Sequence, residues 1–232
     1  MKVWVFVEGP SDRLALMSLW DAWLRNMSDR GWGIHVLPLD NKSQYLRKIG
    51  HRAAEKLAQD PQDLVVGLPD LYPIQPYRGT TYEHADLPTL QTLQKTLVQD
   101  ALRSVFRVAT TTTAMSRFHA SAMKHDLEVL LLAAKEALRT RLKTKDRLGN
   151  WRNPPEDQNH DHPPKRIVEE LFRAKLGRAY LDTTDFAAVM RNAELRDLLF
   201  DERGHVQCPA FKAVVDWIGA KTGVPAYPVM VD

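Results

Sequence analysis

Apolar residues at the start of the chain follow first a period of two and then a period near 3.6. Residues 3–7 (VWVFV) are all β-branched or aromatic, and Gly9-Pro10 follows them. This run predicts a buried β-strand. Ser11 can cap a helix, and apolar positions then recur at helical spacing between residues 14 and 24. The first 24 residues therefore predict a strand that leads into a helix.

The same alternation of short apolar runs and longer amphipathic runs continues to residue 142. It predicts further strands at 32–37, 63–67 and 117–123, and further helices at 42–59, 87–105 and 126–141. We therefore expect an α/β fold with a mostly parallel four-stranded sheet and helices on both faces. The threonine run 110–113 is assigned to a β segment or a turn. Residues 69–87 are rich in proline and predict a long loop, which in a compact domain is usually functional.

The pattern changes after residue 142. Residues 143–164 are polar and contain prolines, and they predict a linker loop between an α/β domain at 1–142 and a helical C-terminal subdomain at 165–232. Short helices are predicted there at 165–176, 184–190, 193–200 and 211–221. We expect this half to pack on the sheet domain without adding a strand to the sheet.

Two acidic residues follow predicted strands. Glu8 comes directly after the first strand, and Asp70 comes shortly after the third. In an open α/β sheet, binding and catalysis gather outside the carboxyl ends of the strands. Carboxylates that meet there can hold a hard cation such as Mg²⁺ or Mn²⁺, which activates water or stabilises a phosphoryl group in transfer. A solvated loop acid at Glu8 and a turn-forming Asp70 are the alternatives.

Asp12 and Glu128 are candidates to complete such a site. Asp12 lies in the first turn of the first helix, and Glu128 lies where the fourth strand gives way to a helix. An acid in a first helical turn also stabilises the helix dipole, which is the structural alternative for both residues. The run His160-Asp161-His162 has no further ligand at a zinc-like spacing, so a polar loop is the simpler interpretation.

Basic residues predict a surface for phosphate groups. Lys135, Arg139, Lys143 and Arg147 are four residues apart and share one face if their helix continues that far. A solvated helix face explains this stripe equally well. The pair Lys165-Arg166 begins a predicted helix. A cation at that position interacts unfavourably with the helix dipole, so these two residues are expected to serve a purpose other than helix stability. We therefore predict contacts to nucleic acid from Lys165, Arg166, Arg139 and Lys143.

Composition limits the class of protein. The 232 residues are 44% hydrophobic and 26% charged, which is a globular rather than a disordered composition. A net charge of +3 permits an anionic partner without requiring one. The single cysteine, Cys208, excludes an internal disulfide, and no apolar stretch has membrane length. The N-terminal apolar run stops at Glu8, too short for a signal peptide, so we expect a cytoplasmic location.

Five segments in order resemble a Toprim-like domain-of-unknown-function family of bacteria and archaea. They are VEGPSD (7–12), PDLYP (69–73), HDLEVLLLA (125–133), PPKR (163–166) and CPAFKAVVDWI (208–218). Toprim is the metal-binding α/β domain of topoisomerases, primases and overcoming-lysogenization-defect nucleases. The resemblance implies that Glu8 is the glutamate after the first strand and Asp70 the first acid of the Asp-x-Asp pair. Tyr72 stands where the second acid is expected, so Glu128 or Asp12 must take its place.

The resemblance also implies a partner, because relatives often neighbour genes for ABC-type ATPases in pairings that look like split defence nucleases. The function expected from it is a metal-dependent nuclease that works with an ABC-type ATPase in anti-phage defence. Glu8 and Asp70 are expected to hold Mg²⁺ or Mn²⁺, and Glu128 to complete the shell or act as the base. A non-catalytic regulatory subunit of the ATPase and a plain nucleic-acid-binding module are the alternatives.

Overall fold

The computed structural model describes residues 1–228 and contains a four-stranded, all-parallel sheet. Its strands are β1 (Lys2–Val7), β2 (Gly33–Pro38), β3 (Leu64–Gly67) and β4 (Phe118–Ala120), in the order β2-β1-β3-β4. The predicted α/β class is confirmed. Within the described residues, nothing after 164 adds a strand to this sheet, as expected.

Residues 1–228 contain eleven α-helices of very different lengths. In order they are α1 (Pro10–Leu19), α2 (Asp21–Asp29), α3 (Lys42–Gln59), α4 (Leu87–Ser104), α5 (Thr111–Met115), α6 (Val129–Ala133), α7 (Lys135–Arg141), α8 (Pro164–Leu176), α9 (Ala187–Met190), α10 (Leu195–Leu199) and α11 (Pro209–Thr222). A π-helical turn at Asp182–Phe186 leads into α9. No helix in residues 1–228 is both long and apolar enough to cross a lipid bilayer.

The sheet is covered on both faces. Phe6 and Val65 point into a core formed with α3 and α4. Val5 and Val66 point to the opposite face, where α1 and the C-terminal helices pack in one continuous core. Alternate residues of a strand face opposite sides of a sheet, which is why a strand buried on both faces is apolar at nearly every position.

The prediction of a single helix over 126–141 is wrong. Helix α6 ends at Ala133, and Ala134 adopts φ −79° and ψ 52° before α7 begins. All five residues of α6 are buried, whereas one side of α7 is exposed. The bend at Ala134 allows the first segment to lie in the core and the second to lie at the surface. Helix α7 ends at Arg141, and Lys143 has a positive φ of 51°. The basic stripe over 135–147 therefore does not lie on one helix.

Two other local assignments are also wrong. The threonine run forms the short helix α5 rather than a β segment or a turn. The first amphipathic run is divided at Trp20, a fully buried residue, between α1 and α2. In both places packing against the rest of the protein outweighs the local pattern, since short helices depend on tertiary contacts. The predicted loop after β3 is a loop, with one short 3₁₀ turn at Gln75–Tyr77.

Candidate functional site at the carboxyl edge of the sheet

Glu8 and Asp70 meet at the carboxyl edge of the sheet. They follow β1 and β3, which are parallel neighbours. Glu8 Oε1 accepts a hydrogen bond from the Asp70 backbone N–H at 3.1 Å. Lys42 Nζ lies 3.3 Å from the same oxygen and also donates to the Asp70 carbonyl. Strand order thus brings together two residues that are 62 positions apart.

A second group of charges is centred on Lys165. Its Nζ lies 3.5 Å from Glu128 Oε1 and 3.5 Å from Asp182 Oδ2. Its backbone N–H donates to Asp126 Oδ2 at 3.2 Å, so the Asp126 carboxylate caps the N-terminal turn of α8. Asp126 Oδ1 is buried and has no hydrogen-bond partner within residues 1–228.

Asp12 links the two groups electrostatically. Asp12 lies in the first turn of α1, as predicted, and its Oδ2 accepts the Gly9 N–H at 2.8 Å in a capping interaction. Its negative charge also raises the pKa values of Asp70 and Glu128. We call the six carboxyl groups of Glu8, Asp12, Asp70, Asp126, Glu128 and Asp182 the acidic cluster.

Burial raises the pKa values of five members of the acidic cluster, Glu8, Asp12, Asp70, Asp126 and Glu128. It holds the pKa of Asp70 well above its ordinary value, with further contributions from the charges of Glu8 and Asp12. Burial, and to a smaller extent the charge of Asp126, raises the pKa of Glu128 to about 8. Burial raises the pKa of Asp126 to about 6. The fully ionised cluster would carry six negative charges against two ammonium groups, Lys42 and Lys165. The excess must be balanced by protons or by a cation.

The donor set fits a hard divalent cation in chemical type. All candidate ligands are carboxylate oxygens, the class that Mg²⁺ and Mn²⁺ prefer. Within residues 1–228, however, no three His, Cys, Asp or Glu side chains are arranged closely enough to hold a metal ion as they stand. Two of the carboxylates, Glu8 and Glu128, are held by Lys42 and Lys165 instead. Metal binding would therefore require side-chain rearrangement, with the ammonium groups displaced from these oxygens.

The predicted basic residues separate into two sets. Lys165 lies in the acidic cluster, as described above. Arg139 pairs with Glu136 on α7, and Arg166 Nε lies 3.2 Å from Glu170 Oε1 on α8. Lys143 lies in the segment after α7. Within residues 1–228, Lys165 is therefore the only one of these four basic residues that contacts the acidic cluster.

A pocket of about 390 Å³ adjoins the acidic cluster at Asp126. Its aromatic walls are Tyr72, His125 and His160, and the Tyr72 ring centroid lies 4.0 Å from that of His160 and 5.7 Å from that of His125. His125 is buried, and its Nε2 lies 2.9 Å from the Gln158 carbonyl. Tyr72, which stands where the resemblance predicts a second acid, is thus part of this aromatic pocket.

Asp126 and Asp182 were not among the predicted site residues. Asp126 could have been found, since it precedes Glu128 by two positions in the segment between β4 and α6. Asp182 gave no such signal. It lies in the π-helical turn before α9 and reaches the cluster only through tertiary packing.

A family model, described as a domain of unknown function (DUF4276), matches residues 7–219. The chain belongs to the DUF4276 family. The matched range includes all the acidic residues and both lysines of the site. No curated protein and no solved structure matches the chain. The DUF4276 description assigns no activity and makes no connection to Toprim domains or to ABC-type ATPases, so these remain predictions.

Proposed function

We propose that this protein is a divalent-metal-dependent phosphodiesterase acting on nucleic acid. The observation that carries the proposal is the buried excess of carboxylates at the carboxyl edge of a parallel sheet, the position where α/β proteins bind their ligands. Buried charges of one sign are costly unless they serve to bind an opposite charge. The resemblance to Toprim domains supports the same chemistry.

Glu8 and Asp70 would hold Mg²⁺ or Mn²⁺, with Asp12, Asp126 or Glu128 completing the shell. The bound ion would neutralise phosphoryl charge and activate water. Glu128 has a pKa of about 8, so it can exchange a proton near neutral pH. Lys165 lies 3.5 Å from Glu128 and would hold a phosphate oxygen when the two side chains separate.

Metal titration of carboxylate variants tests this function. Glu8→Gln and Asp70→Asn should each abolish Mn²⁺ binding measured by calorimetry, together with Mn²⁺-dependent cleavage of labelled DNA and RNA. Both changes keep the side-chain shape, so the circular dichroism spectrum should not change. Glu202→Gln, which removes a charge from an exposed position, is the control and should bind Mn²⁺ normally. Undiminished cleavage by both site variants would contradict the assignment.

We also propose an ABC-type ATPase as partner and the cytoplasm as location. The partner rests on the resemblance. Cys208, a buried free thiol, is compatible with a reducing compartment. Cleavage should rise when the neighbouring ATPase and ATP are added to the purified chain. Strong cleavage that does not depend on the ATPase would contradict the partner while leaving the metal assignment intact.

A second candidate is a non-catalytic subunit that regulates the ATPase. It is favoured by the lysines that hold Glu8 and Glu128, and by Tyr72 in place of the second acid. This candidate predicts association with the ATPase and no Mn²⁺ binding in the calorimetric titration. A plain nucleic-acid-binding module predicts nucleic-acid binding with neither metal nor ATPase.

A further inference from the structure

We propose that the aromatic pocket beside the acidic cluster binds one unpaired nucleobase, which makes single-stranded nucleic acid the substrate class of the site. The cleavage step rests on the function proposed above, whereas base binding can be measured without it. The pocket volume of about 390 Å³ lies near the lower end of the ~300–1,000 Å³ range of ligand pockets, a size suited to one nucleotide.

The walls of the pocket suit a flat aromatic ligand. Tyr72 is half-buried, and its ring stands at 66° to His160, with a centroid separation of 4.0 Å. The His125 and His160 ring centroids are 5.4 Å apart. Proteins that bind single strands stack unpaired bases on rings of this kind.

The mouth of the pocket carries a positive charge. Arg78 lines the pocket and is exposed, and its side chain forms no ion pair within residues 1–228. Arg139 and Arg166, by contrast, are paired with glutamates. An exposed guanidinium group without an ion-pair partner can bind phosphate through two parallel hydrogen bonds.

Asp126 connects the pocket with the acidic cluster. It lines the pocket, and its Oδ1 is a buried acceptor without a partner in the described chain. Every nucleobase that pairs through its Watson–Crick edge has an N–H donor there, and a movement of the Asp126 side chain towards the pocket would let one such donor reach Oδ1. A base held in the pocket would also place its own phosphate beside the carboxylates. A paired base cannot enter unless it leaves the duplex, so the geometry favours single strands.

Fluorescence anisotropy with a labelled ten-nucleotide single strand, in EDTA, tests the proposal. The single strand should bind more tightly than the same sequence in a duplex, and more tightly than a strand with abasic sites. Tyr72→Ala should weaken binding roughly tenfold or more, while Tyr72→Phe, which keeps the ring, should bind like the wild type. Arg78→Gln should weaken binding, and Arg103→Gln, an exposed arginine on α4, is the charge-matched control.

Several results would overturn the inference. These are absence of saturable strand binding, equal affinity for duplex and single strand, and unchanged binding by Tyr72→Ala and Arg78→Gln. Adenosine monophosphate is a separate competitor. If adenosine monophosphate binds far more tightly than the strand, the pocket is a site for a free nucleotide, and the inference that single-stranded nucleic acid is the substrate fails. If base binding depends on Tyr72 but Mn²⁺ does not bind, the nucleobase-pocket proposal is supported and only the proposed phosphodiesterase activity is refuted.

Discussion

Replacing Asp185 with asparagine should destabilise the protein by removing one buried charge. The Asp185 side chain is fully buried and accepts hydrogen bonds from three residues. Arg178 Nη1 and Nη2 donate at 2.7 and 2.8 Å, Arg141 Nε at 3.0 Å and the Leu181 N–H at 2.9 Å. These contacts join α7 to the turn that precedes α9. The variant keeps the shape of the side chain but loses the charge that both guanidinium groups face.

The magnitude follows from the pKa of Asp185. Burial alone would raise this pKa, but the hydrogen bonds from Arg178, Leu181 and Arg141 outweigh it and lower the pKa to about 2. A shift of this size from an ordinary value of 3.8 corresponds to about 2 kcal/mol. The arginine side chains are 38% and 39% exposed, so water screens the interaction. We therefore expect Asp185→Asn to lower the free energy of unfolding by about 1–2 kcal/mol at pH 6.

The pH dependence of this loss gives a sharper test. A carboxyl whose pKa is lowered by folding stabilises the native state above its unfolded pKa and loses that contribution as the pH falls through the folded value. The difference between wild type and variant should thus fall by roughly half between pH 6 and pH 3. Urea unfolding followed by circular dichroism at both pH values measures it, with Asp29→Asn, at an exposed position, as control. A difference below about 0.5 kcal/mol at pH 6, or one that does not change with pH, would refute the reasoning.

Two further predictions concern packing and helix ends. Gly50→Ala should destabilise the protein by about 1–3 kcal/mol in urea unfolding, because a Cβ would lie 2.8 Å from the Leu97 carbonyl oxygen where α3 meets α4. Helix propensity alone predicts a gain of about 1 kcal/mol, so a more stable variant would show that the two helices can separate. Glu156→Ala should cost about 1–2 kcal/mol, since the Glu156 carboxylate accepts the Ala210 N–H at 3.1 Å where α11 begins, and Glu156→Gln should recover part of the loss. Equal unfolding midpoints for Glu156→Ala and the wild type would contradict this capping role.

The local pattern of the chain was sufficient to predict the sheet and the edge at which Glu8 and Asp70 lie. Strand alternation and helical spacing are properties of neighbouring residues, and α3 was predicted with the bounds that the structure has. Asn41, whose side chain accepts the Gln44 N–H at 3.1 Å, marks the start of this helix. Once parallel pairing was inferred, the meeting of Glu8 and Asp70 followed from the rule that parallel strands end at the same edge.

Tertiary structure alone decided the rest of the site. Lys165 was predicted as a phosphate contact, yet in the fold it is held between Glu128 and Asp182. Tyr72 and His160 are 88 positions apart, and no local pattern relates them. Ion pairing, desolvation and cavity shape depend on which distant segments are packed together, whereas the periods of strands and helices depend on neighbours along the chain. The sequence by itself therefore determined where the acidic edge lies, and the tertiary packing determined which charges and rings surround it.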